Sequence, residues 1–367
     1  MNSIPARIRE LNIDPGRRVL VMSDIHANVP YFEGVLEKAG FCADDELIID
    51  GDFLEKGSQN VALLRRIMNQ VEEGHTHVIC GNCDDWADMY VHEKAEEWNP
   101  GILRYMQWKK SGLLWELCTE LGIDPMKLTD LREAKEQMRI AFPEIWDFLK
   151  NLPHAMYTEK FVFAHAGMNP HKPLREQTRT ELDRTDALLT TDWSYDRWLI
   201  VGHWPVMLYG ENIVSANPII DRKRRIVSID GGCTLKDDGQ LNCLILPDIT
   251  SDDFSFIAYD PFPTALALDD QQAGERSYYI RWGDSRVQVL ERGKEFSHCR
   301  HIRTGYEMDI LTKYLFTEEE YTNCNDCTDY ILPINAGDEL RIVEETSRGF
   351  FVKRNGVSGW YFGRLQR

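Results

Sequence analysis

Five short blocks of the chain place carboxylate, amide and imidazole groups where an apolar run stops. They are Ser23-Asp24-Ile25-His26, Gly51-Asp52, Gly81-Asn82-Cys83-Asp84, His165-Ala166-Gly167 and Gly202-His203. The ends of strands are where open α/β sheets place their sites. Oxygen and nitrogen donors without thiolate suit manganese, iron or zinc, or a pair of such ions. Two divalent ions about 3.5–4 Å apart can share one carboxylate, generate a hydroxide at neutral pH and draw charge from a phosphoryl oxygen. Asp52 is the expected bridge, being short and entered through Gly51, which lets backbone approach an ion without a Cβ in the way. Any one block alone is as well explained by a turn acid or a satisfied histidine; five in order are not.

The elements that carry these blocks read as α/β. Residues 18–24, 46–52 and 77–82 are short apolar strands, and 30–40 and 60–74 have helical spacing, so neighbouring strands are expected to be parallel. Residues of about 86–151 are helical, with Trp86, Trp98, Trp108, Trp115 and Trp146 expected to pack helices rather than stack on bases. An insertion between strands is a usual source of a lid or substrate-facing cap. Strands resume at 160–167, 197–205, 224–232, 241–247 and 254–260. Residues 261–275 read as a linker, and beyond them the pattern is all-β. The expected domains are 1–265 and 266–367.

Composition narrows the partners. Sixty acidic against 42 basic residues leave a net charge of −18, which argues against nucleic acid. No apolar run approaches the roughly 18 residues of a membrane span, and the first residues lack the apolar core of a signal peptide. A cytoplasmic protein is expected. Nine cysteines, an odd number mostly in apolar surroundings, read as reduced and buried. The exception is Cys324-x-x-Cys327, which with Cys299 and His301 raises a small zinc knot as a lesser reading.

Taken together, "SDIHAN", "DGDFLEKG", "GNCDD", "FAHAG" and "GHWP" resemble the calcineurin-like metallophosphoesterase superfamily over about residues 18–250. "DGDFLEKG" sits where PPP-type serine/threonine phosphatases and dinucleoside-tetraphosphatases have "GDxxDRG", and "SIDGGC" is similar to their "IDTGC". The resemblance implies a four-layer α/β/β/α sandwich with a helical insertion. The ending, from about 305 to 367, is similar to a bacterial SH3-like domain, so a small all-β SH3-like barrel is expected there.

The resemblance also implies a site with two divalent metal ions, Mn, Fe or Zn. Asp24, His26 and Asp52 would hold the first ion; Asp52, Asn82, His165 and His203 would hold the second. Many relatives have "GHxH", but the last position here is Pro205. Lys56 replaces the family's phosphate-binding arginine, keeping the charge and losing the bidentate fork. Arg184 and Arg197 lie where PPP relatives place a second such arginine. Cys83 and Asp84 stand in place of histidine and glutamate. A thiol with a pKa near 8.5 is a poor substitute for a histidine that protonates the leaving group. Asp84 is expected in a catalytic role, orienting a metal-bound water or a ligand histidine, with capping of the following helix as its alternative. His75, His77, His92 and His154 are assigned no role.

The function implied is hydrolysis of a phosphate ester or anhydride by in-line attack of a metal-bridging hydroxide. Substrates would be a phosphorylated small molecule, a nucleotide or a phosphoprotein, with no membrane partner. One alternative is a phosphodiesterase of the small "GNCD" branch. Another is a non-catalytic protein whose SH3-like tail binds a peptide or cell-wall ligand.

Overall fold

The computed structural model describes residues 4–85, 96–318 and 320–367, and of Glu96 the backbone only. Trp86 and His92 lie outside the described residues. The chain divides into two units: residues 1–205, 218–235 and 239–260 form the first, and 206–217, 236–238 and 261–367 the second.

In the first unit the strands are β1 (Ile8–Glu10), β2 (Val19–Met22), β3 (Glu46–Asp50), β4 (Thr76–Ile79), β5 (Ala155–Tyr157), β6 (Phe161–Ala164) and β7 (Trp198–Val201). After β8 (Val214–Ser215), which belongs to the second unit, follow β9 (Ile219–Asp221), β10 (Ile226–Ser228), β11 (Leu241–Leu246) and β12 (Ser255–Tyr259). One sheet runs β12-β11-β2-β3-β4 and the other β1-β5-β6-β7-β10-β9. β2, β3 and β4 are parallel neighbours, as are β6, β7 and β10.

Strand alternation explains how the layers stack. Val19, Val21 and Ile48 share a core with Phe161, Phe163, Ile200 and Val227 of the other sheet. The intervening Leu20, Met22, Leu47 and Ile49 face α1 (Val29–Ala39) and α2 (Asn60–Glu72) through Phe32, Val35, Leu63, Leu64 and Ile67. Val162, Ala164, Leu199 and Val201 turn the opposite way, onto Leu182 and Leu188. A strand covered on both faces must be apolar throughout, and Val19–Met22 is fully buried at every position. Pro30 sits in the first turn of α1, where its missing N–H costs nothing, and Gly40, at φ 60°, stops the helix.

Two expectations change. The insertion is not held apart as a lid: Ile102, Leu103, Met106, Leu113, Leu117, Ile145 and Trp146 belong to the same apolar cluster as α1 and α2. Its amphipathic helices had one surface available to bury and used it here. Trp146 is buried and Trp115 partly so, but Trp108 is 75% and Trp98 45% exposed, so packing accounts for only part of the tryptophan content. The expected linker also holds a strand, Thr264–Ala267, whose exposed/buried alternation fits one face of a sheet.

The second unit is strand-rich in several small sheets. Its largest sheet sets Thr264–Ala267 beside Glu339–Glu345, then Phe350–Arg354, Val357–Tyr361 and β8. The sheet therefore draws strands from outside residues 305–367. The zinc knot is not formed. His301 has both ring nitrogens engaged, by Thr304 Oγ1 at 2.9 Å and the Asp284 carbonyl at 3.0 Å. Cys299 and Cys324 instead fill an apolar cluster with Ile280, Val287 and Ile310 as small hydrophobes.

Candidate active site

Asp24 and His26 follow β2, Asp52 follows β3, Asn82 follows β4, His165 follows β6 and His203 follows β7. All lie at the carboxyl ends of parallel strands, where such sheets open a crevice. The backbone is strained there. Asp24, His26, Asp52 and His203 have φ of 54°, 51°, 51° and 66°, in the left-handed region that L-residues avoid. Cross-links between the loops hold them: Asp24 N–H donates to Gly51 O and His26 N–H to Asp52 O, each at 3.0 Å, and Gly202 N–H donates to His165 O at 2.8 Å. A Cβ at Gly81 would collide with the Asp52 carboxylate, and one at Gly202 with that of Asp24.

The ring nitrogens sort themselves by their partners. His165 Nδ1 faces the Asp50 carbonyl at 2.9 Å, and His26 Nδ1 the Leu54 carbonyl at 3.3 Å. A carbonyl only accepts, so both Nδ1 atoms carry hydrogen and both Nε2 atoms present lone pairs. His203 donates Nε2–H to Asp186 Oδ1 at 2.9 Å, leaving Nδ1 as its acceptor. Asp186 gave no signal in the sequence.

These acceptors then crowd one another. Asn82 Oδ1 lies 2.8 Å from His203 Nδ1 and 3.2 Å from His165 Nε2, which is 3.4 Å from Asp52 Oδ1. Nearby, Asp24 Oδ1 and His26 Nε2 are buried, without a partner, and 3.8 Å apart. Lone pairs gathered out of water require a proton or a cation. The donor set, the unpartnered atoms and the glycine cradles all fit divalent ions.

Electrostatics agrees. Burial, then the Asp230 carboxylate, pushes the Asp24 pKa well up. Burial also opposes charge on Asp52, but the His165 and His26 rings and the Cys83 N–H hold it well below the usual carboxylate range. Burial lowers His26 to about 4, leaving its ring neutral at pH 7. Against burial, the Asp52 and Asp24 charges push His165 well up. A site so starved of positive charge takes a proton where a cation would otherwise sit.

Around this core, Asp84 is buried and accepts three backbone N–H groups: Asp52 at 2.8 Å, Gly81 at 2.9 Å and Leu54 at 3.0 Å. It ties the loops after β3 and β4 together. Lys56 and Glu55 are both left-handed, at φ 64° and 63°. Burial opposes the Lys56 charge, but Cys83, Tyr105, Asp52 and Glu55 raise its pKa. Glu55 Oε1 accepts Leu113 N–H at 2.9 Å, and Glu116 accepts from Asn60 N, Asn60 Nδ2 and Val61 N at 2.7–2.9 Å. The helix Leu113–Glu120 thus brackets the Lys56 turn, a role invisible in the spacing of residues over fifty apart. Arg184 reaches the Asn82 carbonyl at 3.4 Å, while Arg197 immediately precedes β7, at the end away from His203, and covers Tyr157.

A second buried group, Cys80, Asp85 and His154, brings ligand-type atoms within 4.8 Å of one another. Its chemistry is different. His154 Nδ1 accepts the Arg7 N–H at 3.0 Å, so the ring hydrogen is on Nε2 and no lone pair faces the group. Arg179 supplies the positive charge, at 3.1 Å from Asp85.

The family model for calcineurin-like phosphoesterase matches residues 17–222. The chain belongs to the calcineurin-like phosphoesterases. It is a phosphoric ester hydrolase by that membership. Solved structures similar to the phosphoesterase include a "putative diadenosine tetraphosphatase", at 16% identity and TM-score 0.45, covering 70% of this chain and 99% of that one. A protein serine/threonine phosphatase from Saccharomyces cerevisiae shares 12% identity at TM-score 0.43, covering 71% and 85%. A metallophosphoesterase from Sphaerobacter thermophilus shares 17% at TM-score 0.38, covering 66% and 88%. Identities this low carry no substrate to the phosphoesterase. No curated protein matches it. Among the described residues, no helix is long and apolar enough to cross a membrane.

Proposed function

We propose that the phosphoesterase acts at a two-ion centre on phosphate esters or anhydrides whose leaving group needs little protonation. One ion would be held by Asp24, His26 and Asp52, the other by Asp52, Asn82, His165 and His203. The observation that carries this is the gathering of buried acceptor atoms, of which Asp24 Oδ1 and His26 Nε2 have no hydrogen-bond partner. When bound, divalent ions supply Lewis-acid stabilisation of phosphoryl charge and activation of water at neutral pH.

The chain's own groups do the rest. Asp52 is shared between the two donor sets. Asp50 O and Asp186 fix the His165 and His203 tautomers, so each ring offers a lone pair inward. Asp84 positions Asp52 through its backbone N–H and does not face the reacting atoms with a free oxygen. Lys56 supplies the fixed positive charge for a phosphate oxygen. By the family resemblance Cys83 would stand where a leaving group is protonated, and burial, then Asp52, pushes its thiol pKa well up. A weak acid there restricts the reaction to good leaving groups such as phosphoanhydrides and aryl phosphates.

Rate measured against leaving-group pKa tests this, using aryl and alkyl phosphates, para-nitrophenyl bis esters and dinucleoside tetraphosphates with manganese. A steep fall from aryl to alkyl esters is expected. A flat dependence reaching alkyl phosphates overturns the leaving-group reading. No hydrolysis by protein shown to hold two ions overturns the enzymatic one.

A further inference from the structure

The structure points to a soft ligand in this centre: we propose that Cys83 binds the first ion through its sulfur. The inference rests on the two-ion reading and changes the donor set from nitrogen and oxygen to nitrogen, oxygen and sulfur.

Three observations carry it. First, Cys83 Sγ, a ring nitrogen of His26 and a carboxylate oxygen of Asp52 all lie within 4.8 Å of one another, and all three residues are buried. Tetrahedral donors about 2.0–2.3 Å from zinc are about 3.4–3.7 Å apart, so the trio closes on an ion with side-chain shifts of about an ångström. Second, the sulfur is aimed by fixed backbone: Cys83 N–H donates to Asp52 Oδ1 at 2.8 Å, locking the same carboxylate beside it. Asn82 Nδ2 approaches Sγ at 3.6 Å as a donor, the polarity that favours sulfur as an acceptor. Third, His26 Nε2 has no partner in the chain. His26 and Asp52 would hold that ion, and Cys83 is the further buried donor gathered with them.

Binding exchanges a proton for the metal: the Cys83 S–H bond breaks, a sulfur–metal bond forms, and the proton leaves to buffer. No electron is transferred. A thiolate selects zinc, cobalt or iron over manganese. It also leaves Cys83 with no proton to give a leaving group.

Cobalt(II) loading of the full chain tests the assignment by absorption rather than activity. Wild type with two cobalt ions is expected to show a near-ultraviolet sulfur-to-cobalt charge-transfer band. Cys83→Ser should hold both ions and lose the band, and Cys80→Ser should keep it. In competition, Cys83→Ser should shift preference from zinc toward manganese by about ten-fold or more. X-ray absorption at the zinc edge of wild type needs no variant and should show sulfur at about 2.3 Å. A band that survives in Cys83→Ser, or is lost in Cys80→Ser, overturns the assignment, as does a zinc shell of nitrogen and oxygen alone. Any of these leaves the two-ion reading standing. Wild type that binds no cobalt and no zinc overturns both.

Discussion

Asp24 Oδ1 and His26 Nε2 face each other across 3.8 Å in the interior, and neither has a hydrogen-bond partner from the chain. A buried carboxylate oxygen opposite a neutral imidazole lone pair destabilises the fold until something positive fills the gap. Ions should therefore stabilise the protein. At a hundred times its dissociation constant, a bound ion adds about 2.7 kcal/mol. Chelation is expected to lower Tm, and manganese or zinc to restore it. In Asp24→Asn the metal content should fall by one ion per chain and the Tm response should shrink. Metal analysis beside a thermal melt checks this, and an unchanged ion count in the variant would show that Asp24 is not a ligand.

His203 owes its tautomer to Asp186, a residue outside the expected ligand set. Asp186 Oδ1 takes the Nε2 hydrogen at 2.9 Å, which leaves Nδ1 facing Asn82. Removing such an outer partner usually costs 10–100-fold in metal affinity or activity. Asp186→Ala is expected to weaken metal binding by about that factor with little change in stability, since Asp186 is exposed. Titration with a competing chelator gives the affinity, and equality with wild type would remove Asp186 from the centre.

The Lys56 turn is braced from the insertion. Glu116 satisfies three N–H donors at the start of α2, and Glu55 one at Leu113. Glu116→Ala leaves buried donors without acceptors, at about 1–3 kcal/mol each where water cannot reach. Urea denaturation should show a loss of at least the size of one such donor. Lys56→Ala should instead leave stability nearly unchanged and lower kcat/KM by about 10–100-fold, the worth of one charge-assisted contact. Lys56→Arg should recover much of the rate. A Glu116→Ala variant as stable as wild type would show that the bracket is not structural.

His154 is a buried neutral histidine whose pKa is lowered to about 3, by burial first and then by Arg7 and Arg179. In the unfolded chain it titrates near 6.5. Its stabilising contribution is full above pH 6.5 and is lost as pH falls toward 3, because only the unfolded chain then takes up the proton. By pH 5 the loss is about 2 kcal/mol. His154→Gln should flatten the stability profile between pH 7 and 5 in chelator-treated protein. Parallel profiles for variant and wild type would contradict a neutral buried ring.

The strand positions were legible because each is an apolar run bounded by polar or glycine residues: the expected 46–52 and 241–247 contain β3 and β11. The strand at Thr264–Ala267 was missed because four residues with two exposed threonine and leucine side chains look like a linker until a neighbour supplies the ladder. The insertion's destination was missed for a related reason. An amphipathic pattern states that a helix buries one face and not which surface it meets.

Where donors would appear can be read from residue order alone. Asp24, His26, Asp52, Asn82, His165 and His203 each sit just past an apolar strand, and chain order and alternation are local properties that a linear pattern can carry. Three-dimensional packing sets which nitrogen of each ring looks inward, through Asp186 and the Asp50 carbonyl, and commits the Asp84 oxygens to backbone N–H groups. It also decided that Cys83 lies beside His26, 57 residues away, as a neighbour of Asp52. Those relationships come from loops at the carboxyl ends of strands in two sheets meeting one another. Their distances follow from packing and left-handed backbone at the strand ends, which no residue type encodes alone.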